Sequence, residues 1–224
     1  MSRLRPHALS IFFAVLFVAA LAGQSAVGLH AFNNEQAVHG EVLVTYGQFL
    51  TSSAFVVDVA ENWQSEYLQF FLFIAATIWF VQRGSQESKQ PGAEGMSTDK
   101  QELVGAHATP SSPTLARVGG WRTSLYSNSL LLVMAAIFLA SWTIQSLAGR
   151  VTFNAERAAH GEPEFSWLQY VTGADFWNRT LQNWQSEFLA VGCMIAFSIY
   201  LRQRGSPESK PVGAAHGDTD VARG

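Results

Sequence analysis

Asn62-Trp63-Gln64-Ser65-Glu66 returns as Asn183-Trp184-Gln185-Ser186-Glu187, at an offset of 121 residues. Arg83-Gly84-Ser85 and Glu87-Ser88-Lys89 return as Arg204-Gly205-Ser206 and Glu208-Ser209-Lys210 at the same offset, so no gap separates the two motifs. Between positions 24 and 89, 29 of 66 residues are identical to those 121 places later. The chain therefore reads as a tandem duplication, and whatever one copy folds into, the other must also be able to fold into. The repeat also separates retained positions from drifted ones within a single sequence.

Hydropathy gives the repeated unit its class. Charged residues make up 14% of the chain, against roughly 25% in soluble domains. Residues 9–29 carry no charge, and a run of about 20 apolar residues crosses a hydrocarbon core of roughly 30 Å. The second copy has a matching apolar run, and its first span is expected at 125–149. The next apolar runs, 67–81 and 188–201, are too short to cross at about 1.5 Å per residue. Extending them back through Asn-Trp-Gln-Ser-Glu gives spans of 62–82 and 183–202. On this reading Asn62 and Asn183 start helices, and Trp63 and Trp184 sit in an interfacial aromatic belt.

The expected fold is an all-α membrane protein. It has four transmembrane helices, arranged as two parallel two-helix repeats with short interfacial helices in the outer loops. Residues 1–90 form the first unit and 123–211 the second. A connector at 91–122, rich in Gly, Ser, Thr and Pro, and a tail at 212–224 read as disordered. Arg3, Arg5 and the apolar run before Ala20-Leu21-Ala22 also imitate a secretory signal. The second copy argues for retention, because its matching segment is internal.

Basic residues set the orientation. The 30–65 loop has no Lys or Arg, and its counterpart at 150–186 has Arg150, Arg157 and Arg179. The other 11 of the 14 basic residues lie at the N-terminus, within residues 82–124 and after residue 201. Both termini are expected on the cytoplasmic side of an inner membrane, with both outer loops facing away. Two spans per unit give the copies the same orientation, which differs from an inverted repeat.

Two sets of polar residues are candidates for function. The first is a buried polar site made of Glu66, Glu187, Gln64, Gln185, Asn62, Asn183, Gln24 and Gln145. An ionisable group inside a membrane needs a partner, water or the bundle interior, and Gln24 and Gln145 are the expected cross-helix partners. A carboxylate near a helix start also complements the helix dipole, which is a structural reason to keep it. The second set is an outer-loop site of Glu35, His39 and Glu41 with Glu156, His160 and Glu162. Its Glu-x3-His spacing places both side chains on one helical face, and Gly40 and Gly161 read as helix stops. A metal would need both loops to converge, because each supplies a single His. The plainer reading is an exposed helix end. A short helix is expected over 46–55, and another over 167–176.

No Ser-His-Asp or Cys-His arrangement and no Gly-rich phosphate loop stands out. No basic stripe points to nucleic acid, and no cofactor is expected. Cys193 is the sole cysteine, inside an apolar run, and reads as a packing residue.

Glu61-Asn62-Trp63-Gln64-Ser65-Glu66-Tyr67-Leu68-Gln69, the Gln82-Arg83-Gly84-Ser85 and Glu87-Ser88-Lys89 segments, and Asn33, Glu35, Gln36, His39 and Gly40 carry a resemblance. Together they resemble a family of uncharacterised bacterial integral membrane proteins built on a domain of unknown function. The second copy departs from the pattern, with Gln182 in place of Glu61 and Ala190 in place of Gln69. The resemblance implies a bacterial inner-membrane location and no known activity. The leading functional expectation is a non-enzymatic membrane scaffold or accessory subunit. Its partners would be the bilayer, other membrane proteins or further copies of itself. The alternative is a proton or ion pathway using Glu66 and Glu187, and a weaker one is a metal- or quinone-linked membrane enzyme.

Overall fold

The computed structural model describes residues 5–221. Arg3 and Arg223, both used in the orientation argument, lie outside the described residues. Every regular element among the described residues is helical. The first copy contains α1 (Ala8–His39), α2 (Tyr46–Leu50) and α3 (Ser53–Trp79). α4 (Thr114–Arg117) lies in the 91–122 connector, where composition indicated no regular element, and α5 (Gly120–Ser127) runs from the connector into the start of the stretch expected as a span at 125–149. The second copy contains α6 (Ser129–Ala159), α7 (Trp167–Val171) and α8 (Ala174–Tyr200).

Two helices are long and apolar enough to cross a membrane: α1 with the turn before it, and α6. The first ends at Gly40, which takes a left-handed φ of 71° while its N–H bonds back to Ala37. Glu41 N–H reaches Gln36 O at 2.8 Å, which completes a glycine-terminated helix end. Gly161, at φ 68°, does the same after α6, with Glu162 N–H on Arg157 O at 2.9 Å.

The second helices differ from expectation. They begin at Ser53 and Ala174, nine residues before Asn62 and Asn183, which are therefore interior. The short helices expected over 46–55 and 167–176 are cut to five residues each, and their last residues open α3 and α8. The physical reason is that a membrane-sized apolar count finds only the greasy half of each helix. The preceding half is amphipathic, with Asp58 and Glu61 in α3 and Asp175 and Arg179 in α8, and it continues the same backbone hydrogen bonding. Glu66 and Glu187 become the midpoints of two 27-residue helices, with thirteen residues on either side.

The chain forms two compact units. One holds the described residues up to Ala60 with Ile144–Val171; the other holds Glu61–Thr143 and the described residues from Thr172. Each unit draws on both copies of the repeat. In the first, each copy folds its outer loop back on its long helix in the same way. Asn33 Nδ2 donates to Val44 O at 2.9 Å and its Oδ1 accepts Val44 N–H at 2.8 Å. Asn154 holds Phe165 through the same two bonds, both at 2.9 Å. Thr45 and Gln48 form a capping box at the start of α2, and Ser166 and Gln169 make the same bonds at α7. Ser25 Oγ meets Tyr46 Oη at 2.7 Å, and Trp167 Nε1 donates to Ser146 Oγ at 3.0 Å. A Cβ on Gly28 would come within 2.9 Å of the Phe49 ring, and one on Gly149 would collide with the Tyr170 hydroxyl. The retained Ser, Gly and Asn of the first helices thus make room for the short helix and tie it down.

Candidate functional site

Three polar contacts join α3 to α8. Arg179 Nε donates to Glu61 Oε1 at 2.6 Å, and Arg179 Nη2 to Glu61 Oε2 at 3.2 Å. Trp184 Nε1 donates to Gln64 Oε1 at 2.8 Å. Ser65 Oγ lies 3.5 Å from Glu187 Oε1 and also donates to Asn62 O at 3.0 Å. The partners rise together along both helices, from 61 with 179 to 65 with 187, so this stretch of α3 runs parallel to α8. Beyond the end of α3, Ser85 Oγ meets the Oγ of Ser198, in the last turn of α8, at 2.9 Å. The rungs lie on one face of α3. Glu61, Gln64, Ser65 and Leu68 follow i, i+3, i+4, i+7 spacing, and all four are buried.

The ladder is chemically graded. Its outermost rung is a two-toothed guanidinium–carboxylate pair, the strong form of a charged hydrogen bond. The Glu61 side chain is only 11% exposed and the Arg179 side chain 39%, so the acid is the more committed partner. The middle rung fixes the Gln64 amide: the indole N–H can only donate, so Oε1 must face it. Gln64 Nε2 is then buried without an acceptor. The third rung brings Ser65 to Glu187, and Glu66 lies within electrostatic reach of the same carboxylate.

The eight residues proposed as a buried polar site therefore separate. Gln64 and Gln145 are buried, Glu187 and Asn183 are half-buried, and Glu66, Asn62, Gln185 and Gln24 are exposed. The placement of Glu66 corrects the expectation of two equivalent inward carboxylates. The correction has a physical cause: identical residues in the two copies do not present the same face to the neighbouring helix. Gln24 and Gln145 belong to the other compact unit, and the ladder is built without them. Sequence reasoning missed Arg179, which lies opposite Glu61 in the ladder, because the two copies differ at this position.

The outer-loop candidates are exposed: Glu35, His39, Glu41, Glu156, His160 and Glu162. Among the described residues no three His, Cys, Asp or Glu side chains come together in a metal-sized group. His160 Nδ1 lies 2.8 Å from Glu156 O on its own helix end. Arg157 pairs with Glu162 at 2.7 Å and stacks over the Phe165 ring at 4.2 Å. That cation–aromatic stack holds the second loop where the first copy has Gln36 and Val44.

The repeated Arg-Gly-Ser…Glu-Ser-Lys segment is a cap below the ladder. Ser88 Oγ accepts the Gln82 N–H at 2.7 Å, and Ser209 Oγ accepts the Gln203 N–H at 2.8 Å. The two lysines diverge. Lys89 Nζ bonds Gly95 O at 2.8 Å. Lys210 is fully buried, and its ammonium meets four backbone carbonyls: Gly84 at 2.7 Å, Ala215 at 3.1 Å, His216 at 2.9 Å and Asp218 at 3.0 Å. Burial, with Arg202 nearby, holds the Lys210 pKa below its ordinary value, and Asp218 opposes that shift. Glu87 and Glu208 are repeat mates that face each other: burial first, then repulsion from Glu208, raises the Glu87 pKa above the ordinary 4.5.

These features define a helical protein with two membrane-length helices and a polar interhelical ladder. It belongs to the family described as Domain of unknown function (DUF6766), whose single match spans residues 1–221 and so takes in both copies. No curated protein and no solved structure matches the chain.

Proposed function

We propose that this chain is a four-span inner-membrane protein, with both termini cytoplasmic, that serves as a scaffold or accessory subunit without catalysis of its own. The observation that carries the reading is what the ladder does with its polar groups. Glu61, Arg179, Gln64, Trp184, Ser65 and Glu187 are engaged with one another, and their geometry fixes helix register. Polar contacts between helices in lipid align partners more than they add stability. Counting a core of roughly 30 Å outward from Trp79 at about 1.5 Å per residue reaches about residue 60. On that placement Glu61 and Arg179 lie at the outer rim. Glu66 lies about 8 Å deeper than Glu61, and Glu187 about 12 Å deeper than Arg179.

A second reading has its own observation: two carboxylates, Glu66 and Glu187, sit within electrostatic reach at the midpoints of parallel helices. Such a pair suits proton relay. Proteoliposomes decide between the two. A scaffold predicts no proton flux above empty vesicles in the wild type, and Glu66→Gln and Glu187→Gln that fold and change nothing in that assay. Wild-type flux abolished by either substitution would replace the scaffold with the pathway. Cysteine labelling tests the topology: sites in the 30–65 and 150–186 loops should react from outside, and sites in the 84–120 connector should not.

A further inference from the structure

The face of α3 that carries the ladder has a counterpart on α8 that the ladder does not use. At the 121-residue offset, Val57, Glu61, Gln64 and Leu68 correspond to Asn178, Gln182, Gln185 and Leu189, and the series on α8 continues to Gly192 and Ala196. The steps between these six alternate between four residues and three, the spacing of a coiled-coil seam. On α3 the first four positions are buried; on α8 all six are exposed. At 3.6 residues per turn, the six centre on the side of α8 opposite Arg179, Trp184 and Glu187, which meet α3. A single chain therefore covers this face once and leaves it open once.

The open copy differs from the covered one in ways that suit pairing with itself. Glu61, which faces the Arg179 guanidinium, is replaced by neutral Gln182, and Val57 by Asn178. A carboxylate on a two-fold axis would meet its own like charge. An amide donates and accepts at once, so Asn178, Gln182 and Gln185 can each bond their own equivalents across such an axis. Phe71 is replaced by Gly192, where a Cβ would meet nothing within 4 Å. Gly192 and Ala196, one turn apart, let two helix backbones approach closely in lipid.

We infer that α8 pairs with α8 of a second copy of this chain, in a parallel two-fold dimer whose seam is formed by these six residues. The covered copy of the face meets a parallel helix at the same level, and the same kind of element fits the open one. All copies insert in the same orientation, so the axis runs along the membrane normal. Polar residues in such a seam fix register and the number of strands. Gln185 lies six residues beyond Arg179, about 9 Å inside the outer rim, where an unpaired helix would turn its amide into hydrocarbon at a cost. This inference rests on the reading of α8 as membrane-spanning and names the partner of that scaffold.

The test uses the full chain in native membranes with Cys193→Ser and one further cysteine. Ala196→Cys, on the seam, should give a disulfide-linked two-chain product with a thiol oxidant. Phe197→Cys, about 100° further round the helix and 55% exposed in the wild type, should not. Equal crosslinking at both positions, or none at Ala196→Cys, would overturn the seam. Gly192→Ile fills the point of close approach from a position with open space in its own chain. Added to Ala196→Cys, it should abolish the product and leave the tryptophan fluorescence unchanged; an undiminished product would contradict the proposal. Wild-type protein in nanodiscs supplies a reading free of substitutions. It should have the mass of two 24.5 kDa chains, and a monomer or a larger assembly would overturn the dimer. Release of the chain by alkaline carbonate would defeat the membrane reading instead, and the crosslink pattern would still judge the seam.

Discussion

Arg179→Ala isolates the ladder's charged rung. It removes the guanidinium that meets Glu61 at 2.6 and 3.2 Å and leaves a carboxylate whose side chain is 11% exposed. Breaking a fully buried pair costs about 3–5 kcal/mol, because the remaining charge stays buried. An exposed pair is worth about 0–1 kcal/mol. Here the acid is buried and the base is 39% exposed, which places the cost between those limits, at about 2 kcal/mol. Much of that cost belongs to the stranded charge, so Glu61→Gln added to Arg179→Ala should recover about half of it. The assay is a reversible denaturant titration in detergent, followed by tryptophan fluorescence, since Trp184 sits on the neighbouring rung. A loss below about 0.5 kcal/mol would show that the pair behaves as a surface contact. A double variant no more stable than Arg179→Ala would refute the stranded-charge argument.

Two further outcomes follow from the cap below the ladder. Gly84 and Gly205 occupy matching places with φ of 85° and 90°, so alanine at either carries backbone strain of about 1–2 kcal/mol. A Cβ on Gly84 would also collide with the His216 carbonyl, whereas one on Gly205 meets nothing within 4 Å. Gly84→Ala should therefore cost clearly more in the same titration and expose the tail to protease; equal costs would count against the docked tail. Glu87 supplies a pH dependence. Its raised pKa means that its stabilising contribution is complete below the ordinary value of 4.5 and is lost as pH rises through the folded value. Glu87→Gln should match the wild type near pH 4 and be the more stable at about pH 7. A neutral-pH loss of stability in that variant would reverse the sign.

Much of the loop architecture is legible in the repeat. Asn33, Asn154, Gln48, Gln169, Ser25 and Gly28 are retained because each ties or accommodates the short helix, and identity between copies marks them without any structure. The glycine stops at 40 and 161 follow from local chemistry. Two things were not legible. The starts of α3 and α8 were hidden because an apolar run marks only part of each helix, and the helical backbone begins earlier, ahead of Asp58 and Arg179. The ladder was hidden because a repeat shows which residues are kept and not which face each copy turns to its neighbour. Glu66 and Glu187 are the same residue in the same local sequence, yet one is exposed and the other half-buried. Arg179 is a drifted position, Asp58 in the first copy, so repetition pointed away from it.

The central claim is that α3 and α8 run parallel and in register, locked by the ladder. Two cysteine pairs in one chain, with Cys193→Ser, test it directly. Ser65→Cys with Glu187→Cys replaces groups 3.5 Å apart, and Ser85→Cys with Ser198→Cys replaces groups 2.9 Å apart at the other end. Oxidation in native membranes, followed by protease cleavage in the connector, should leave the halves covalently joined for each pair. Joining through both pairs in the same protein is the predicted result. Joining through only one pair, as an antiparallel or shifted packing would give, contradicts the account.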